Sequence, residues 1–479
     1  MATSSTTGMS ELDIEEPIKF LNIQLHFSNH QTTPVITNGS PKRLCVPRRT
    51  CRSPEVFRAQ EAHHQPQQQP SQGCGTSVEP ASHLQPYNAH LTSEQLRKIH
   101  QEPNAWMARI PDDRPVNHLS IPGTHDSCAR SQVIYVQTQT QTVAEQLLAG
   151  VRALDLRLRR HRNGQLFCYH GGVPLGSFGR QLALSTVMAD VWTFMIRTGF
   201  TETVLVSIDN DDSADRGSAE GRHAFYEAVD DFIRQTPRWG KGEGGRAGVG
   251  GGEGSSRWYL ASQTPTLGQV RGKVILLRRF PAEKGHSTSP LAVQGDSSSE
   301  DIDTTEGIGF DLSAWVNNSP DFIIQTPHAE FRIQDRWKYS ERIHLADLVE
   351  SKSDFVKNLM DQAIRQERER GLLVATQPHD SWFIHFTSAV GEPFKHGEIA
   401  TARSIAVGDF VGWGKWQPGV NIAIAQFIKQ YAPPGQRQRL GVVFMDFAVL
   451  PKDAGLLDSI IATNFDSIEE AALVLGERA

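Results

Sequence analysis

Histidines, carboxylates and arginines recur in this sequence at one kind of position, the polar end of a short apolar run. SIPGTHDS places His125 and Asp126 just after such a run. In ALDLRLR, Leu154, Leu156 and Leu158 fall on one face of an extended chain, so Asp155 and Arg157 share the other. FCYHGG ends its run at His170, and VSIDND ends on Asp209, Asn210 and Asp211. LLRRF ends on Arg278 and Arg279, RIQDRW on Asp335, and VVFMDF on Asp446. These groups suit cleavage of a phosphodiester by a hydroxyl within the substrate. One imidazole removes the attacking proton and a second protonates the leaving oxygen. A guanidinium offers a fork of N–H donors to the phosphoryl oxygens as charge builds on them. A buried carboxylate holds the basic imidazole in one tautomer and stabilises its protonated form. The inventory requires no metal.

For these groups to meet, the runs must be neighbouring strands that end on one rim. The strand candidates are residues 117–123, 151–159, 166–170, 203–210, 272–280, 330–335, 382–388 and 441–447. Helical patterns lie at 143–150, 184–199, 221–235, 353–371 and 420–432. Strand-then-helix alternation predicts an α/β protein with a largely parallel sheet, and eight candidates predict a TIM-type barrel. One connection dissents. The segment from Arg159 to Leu166 is too short for a helical crossover, so the barrel is expected to be irregular and to lack a helix there.

Outside these elements the composition changes. Residues 1–95 include the tract HHQPQQQPSQGCG and few periodic apolar runs, which predicts a disordered tail ahead of a single barrel over 96–479. The glycine-rich stretch 241–256 and the polar, acidic stretch 286–307 read as flexible insertions. No apolar run reaches the ~18 residues of a membrane-spanning helix, and no secretory signal is read in the first residues. The expected setting is therefore cytoplasmic, with peripheral contact to membranes. A net charge of −6 argues against a polycation for nucleic acid. Five cysteines without a CxxC pair argue for reduced thiols rather than a disulfide framework or a zinc site. A monomer is expected. Trp413, Trp416 and Phe394, each near glycine, read as aromatics that pack a loop, with lipid contact the alternative. The basic run PKRLCVPRRTCR reads as a solubilising part of the tail rather than a lipid-attracting patch.

SIPGTHDS, VAEQLLAGVRALDLRLR, YHGG, TETVLVSID and GKVILLRRF, in that order, resemble the phosphatidylinositol-specific phospholipase C X-domain family, most closely its bacterial-type, metal-independent branch. The resemblance runs from about Leu91 to about Asp458. It implies a distorted TIM barrel and attack by the inositol 2-hydroxyl on phosphorus, giving diacylglycerol and a cyclic inositol phosphate. The implied substrate is a membrane phosphoinositide lipid. By the same resemblance His125 is the general base with Asp446 behind it, and His170 is the general acid assisted by Asp126. Arg157 is the phosphate-binding arginine and Asp155 a supporting carboxylate. Arg279, Asp335 and Trp337 fall at positions of inositol recognition. Asp209 stands where the bacterial branch has a lysine, and the calcium-dependent branch carries an acidic ligand at that point. Against calcium, Arg157 occupies another ligand position of that branch and Asp126 replaces its asparagine. No cofactor is therefore expected, with calcium as the alternative. The competing functions are a metal-dependent phosphodiesterase, such as a calcium-type phospholipase C or a glycerophosphodiesterase, and a barrel that binds lipid without turnover.

Overall fold

A computed structural model describes residues 104–476, except 132, 178–179, 241–253, 283–307, 340–342, 371–379, 392–399, 412–413 and 434. The expected tail at 1–95, the insertion at 286–307, nearly all of that at 241–256, and Phe394 and Trp413 lie outside the described residues.

The main strands are β1 Ile121–Thr124, β2 Ala153–Arg160, β3 Leu166–His170, β4 Val204–Asn210, β5 Val274–Arg278, β6 Phe310–Asp311, β7 Phe322–Gln325, β8 Glu330–Gln334, β9 Trp382–Phe386 and β10 Val442–Met445. Their lateral order is β6-β5-β4-β2-β1-β10-β9-β8-β7. Every neighbouring pair from β6 to β8 is parallel, and β7 closes the far edge antiparallel to β8. This is the expected irregular α/β barrel. Its irregularity lies partly where the short connection predicted it. β3 is not a stave: it folds back antiparallel on β2, pairing Leu158 with Cys168. The eighth parallel stave is instead the two-residue β6, which follows the insertion and is too short to leave a period in the sequence.

Among the described residues no strand pairing closes the barrel between β6 and β8. Between β6 and β8 the wall is completed by rings: Phe310 meets Phe331 edge to face, centroids 5.4 Å apart, and Trp382 at the same separation. Leu154, Leu156 and Leu158 point outward from β2 and are fully buried, as the alternation predicted. Between β1, β2 and β10 the backbones come so close that a side chain at Gly123 would sit 2.9 Å from both the Ala153 methyl and the Phe444 ring. Helix α1, Val143–Ala149, starts at a capping box in which Thr142 and Glu145 satisfy each other's backbone N–H groups. It stops at Gly150, whose φ of 111° only glycine adopts without strain, and the chain turns at once into β2. At the end of the barrel away from the clustered histidines, buried Arg152 pairs with buried Glu202 at 2.8 Å. Glu202 also accepts from the backbone N–H of Ala108, tying down the N-terminal segment. Among the described residues no helix is long and apolar enough to cross a membrane.

Candidate active site

The turn that follows β1 carries two of the predicted residues and is fixed from several sides. His125 N–H donates to the Met445 carbonyl (3.0 Å), which continues the pairing of β1 with β10. Ser127 N–H donates to the Asp155 carbonyl (2.9 Å), and Asp155 N–H returns a bond to Ser127 Oγ (2.9 Å). The Gln139 amide donates to the carbonyls of both His125 and Met445. Asp126 holds φ = 40°, left-handed backbone that Asp tolerates better than most residues. That conformation turns its carboxylate inward.

The buried Asp126 carboxylate is the hub of the site. Its Oδ1 lies 2.9 Å from Arg157 Nε. Its Oδ2 lies 3.2 Å from Nε2 of His125 and 3.2 Å from Nε2 of His170. The angles of these contacts fall short of hydrogen bonds, so charge rather than alignment holds the group together. Burial alone would raise the Asp126 carboxyl, but Arg157, His170 and His125 overcome it and hold the group far below the usual carboxylate range. Arg157, burial notwithstanding, is held charged by Asp126 and Asp155.

His125 is gripped at both ring nitrogens, with Nδ1 2.8 Å from Asp446 Oδ1. Burial would lower its pKa; Asp126 and Asp446 together raise it to about 9. Asp446 is itself pushed up by burial and drawn back only in part by His125. Its backbone is anchored by Asn421, whose amide donates to the Asp446 carbonyl at 3.0 Å from the start of the helix Val420–Tyr431. His170 has Nδ1 2.9 Å from the Val136 carbonyl, which fixes that nitrogen as the donor and leaves Nε2 facing Asp126. Both ring nitrogens of His170 thus face oxygen atoms, Nδ1 the Val136 carbonyl and Nε2 the Asp126 carboxylate.

Asp155, fully buried, accepts from Ser207 Oγ at 3.0 Å and from Arg279 at 3.3 Å. Arg279 also lies 4.0 Å from both Asp209 and Asp335. His125, His170, Arg157, Asp446, Asp126 and Asp155 therefore form one cluster, and Arg279, Asp335 and Asp209 adjoin it. The ring beside that second set belongs to Trp315. The Arg279 guanidinium stacks on it 3.9 Å from the centroid, and its indole N–H donates to Asp335 at 2.8 Å. Trp337 directs its indole N–H to Asn317 instead (2.9 Å). Sequence reasoning passed over Trp315 because it lies in a loop outside any strand-like run.

His125, Asp126 and Asp155 bring oxygen and nitrogen atoms within 4.8 Å of one another, a spacing that a cation could use. The donor set does not fit one. The Asp126 oxygens already face a guanidinium and two imidazoles, and Asp155 is engaged by Ser207 and Arg279. A divalent ion there would lie against Arg157.

Residues 112–228 match the family model of the phosphatidylinositol-specific phospholipase C X domain. The match bears out the family resemblance read from the motifs. Among curated proteins, a 1-phosphatidylinositol phosphodiesterase of Listeria monocytogenes is 26% identical over 195 residues, covering 39% of this chain and 51% of its own length. The chain thus spans about half the length of that relative. A 1-phosphatidylinositol phosphodiesterase of Staphylococcus aureus is 23% identical over 287 residues, 58% of this chain and 74% of that protein. Among solved structures, a phosphatidylinositol-specific phospholipase C of Staphylococcus aureus superposes with a TM-score of 0.52 at 21% identity, covering 76% of this chain and 98% of that one. That likeness carries the barrel fold well beyond the X domain.

Proposed function

We propose that the protein is a phospholipase C that cleaves phosphatidylinositol-type lipids by attack of the inositol 2-hydroxyl on phosphorus, releasing diacylglycerol and a cyclic inositol phosphate. The observation that carries this reading is the convergence of two Nε2 atoms and one guanidinium on Asp126. His125, with Nδ1 committed to Asp446, uses Nε2 as general base. His170, with Nδ1 committed to Val136, uses Nε2 to deliver the proton to the leaving diacylglycerol oxygen, and Asp126 supports it. Arg157 neutralises the charge that gathers on the phosphoryl oxygens, and Asp155 positions it and Arg279. Arg279, Asp335 and Asp209 take the inositol ring, with Trp315, stacked on Arg279 and bonded to Asp335, as the aromatic of that set in place of the expected Trp337.

The reaction proceeds without a metal, because the Arg157 guanidinium supplies the positive charge that a calcium ion would otherwise bring. Substrate is met at a lipid surface. Val133, Ile134 and Tyr135 are exposed by 54, 54 and 62% immediately before Val136, whose carbonyl holds His170. Phe410 and Trp416, exposed by 68 and 43%, form a second apolar tip. Lipid chains would cover both. The full-length chain incubated with phosphatidylinositol vesicles and followed by phosphorus NMR, with and without chelator, tests the reading. A cyclic phosphodiester signal in both samples supports it; no turnover, or turnover lost on chelation, overturns it.

A further inference from the structure

Arginine is concentrated a second time, beyond the cluster around Asp126. Where β2 turns back into β3, the sequence RRHRNGQ spans Arg159–Gln165. There Arg159, Arg160, His161, Arg162 and Tyr169 line an open cleft of about 540 Å³, with Asp212 as its carboxylate. That volume is in the range of small-ligand sites. Three guanidiniums thus face a single lining carboxylate, and the Asp212 side chain is already engaged in capping the backbone N–H groups of Ala214 and Asp215.

The cleft is held in shape from behind. Asp211 fixes Arg159 through Nε at 3.0 Å and also accepts from the N–H groups of Gly171 and Gly172, so the arginine is tied to the turn that follows His170. The Arg159 guanidinium lies over the Tyr169 ring, 4.8 Å from its centroid. His161 packs on Phe167 with centroids 4.3 Å apart and meets the Tyr169 hydroxyl at 3.2 Å. Arg160 has a long contact to Asp215, 3.6 Å. Arg162 is exposed and makes no ion pair among the described residues. Arg157 and Arg159 are two residues apart on one strand, hence on the same face and about 7 Å apart along it.

We propose that this cleft is a second anion site that takes a phosphate group about 7 Å along the strand from the group held by Arg157. The ligand class is a phosphate monoester or diester, presented by a neighbouring anionic lipid or free in solution. Guanidiniums in a rigid fork suit such oxygens better than ammonium groups would. The site stands apart from the proposed catalysis, since binding here needs no turnover.

The test uses the full-length chain and the variant R160Q/R162Q, with Arg162→Glu alone as a second variant whose exposed position spares the fold. Sedimentation with phosphatidylcholine vesicles, with and without phosphatidylglycerol, reads the lipid source. Calorimetry with inorganic phosphate reads the free source. The double variant should lose about 10- to 30-fold in partitioning to the anionic vesicles, given the usual contribution of each basic residue at such a surface. Binding to phosphatidylcholine alone and cleavage of a soluble inositol phosphodiester should not change. Loss confined to vesicles assigns the site to a lipid phosphate, and loss of the inorganic phosphate heat assigns it to a free one. Equal behaviour of wild type and both variants in both assays overturns the proposal.

Discussion

His125 and His170 turn their Nε2 atoms to the same oxygen of Asp126, each at 3.2 Å. One arrives on the turn after β1 and the other at the end of the β2–β3 hairpin, so a single carboxylate joins two chain segments and two imidazoles, the pair proposed to move protons. Removing either ring should therefore be felt by the other. His125→Ala and His170→Ala should each lower kcat by about 10³-fold or more, and the double variant should fall little further, because residues that act as a unit are not additive. A double-mutant cycle on phosphatidylinositol cleavage measures this. Independent, multiplying effects would refute the shared role. His125→Ala should also lower Tm modestly, since it strips the buried Asp446 of its hydrogen bond.

The pH dependence follows from the two carboxylates that grip His125. A ring raised to about 9 is protonated in the free enzyme at neutral pH, so kcat/KM should climb with pH toward that value. Asp446→Asn removes one of the charges favouring the imidazolium. The rising limb should then move to lower pH while kcat falls by up to about 10⁴-fold, as the ring loses its orienting partner. An unmoved limb in the pH–rate profile would sink the assignment. In stability terms the raised histidine contributes most below its unfolded pKa of ~6.5, and the contribution fades as pH rises through about 9.

Arg157→Lys keeps the charge but not the planar fork. Its kcat should drop by about 10²-fold or more, with little change in vesicle binding. Chelator should leave both wild type and variant unaffected. Calcium-stimulated activity in either protein, read in the same product assay, would count against the guanidinium's proposed role.

A stability signature should come from Lys352, fully buried on the helix Leu345–Arg370, with its ammonium 2.6 Å from the Arg336 carbonyl. Burial lowers its pKa to about 7 against partial support from Asp335 and Asp446. A lysine depressed in the folded state is protonated more readily when unfolded, so its destabilising contribution is full below pH 7 and disappears as pH rises toward ~10.5. The Tm difference between wild type and Lys352→Met should shift in favour of wild type over that window. A pH-independent difference in differential scanning calorimetry would show that Lys352 is not the group responsible.

Much of this was legible because one rule, polar residues at the ends of apolar runs, marked nearly every stave and its terminal side chain together. Asp155 and Arg157 could be paired from the alternation of ALDLRLR, and both face the site. The rule failed where periodicity has too few residues to act on. LFCYH has the composition of a stave, yet a connection too short for a crossover turns it into a hairpin arm, and Phe310–Asp311 becomes the stave without any alternation to announce it. Trp315 was missed for a related reason: its partners, Arg279 and Asp335, come together only through the barrel's curvature. The left-handed turn at Asp126, which lets one carboxylate meet a guanidinium and two imidazoles, leaves no mark in composition at all.

The seam between β6 and β8, sealed by Phe310, Phe331 and Trp382, has a bearing on how this chain tolerates change. Rings sliding over one another need no register, whereas a ladder shifted by a single residue turns every side chain to the wrong face. Residues 283–307 precede Phe310 in the sequence, and lengthening a connection costs little entropy once it is long. Inserted sequence can therefore accumulate at that junction while the staves carrying His125, Arg157 and Asp446 keep their alignment across the opposite wall.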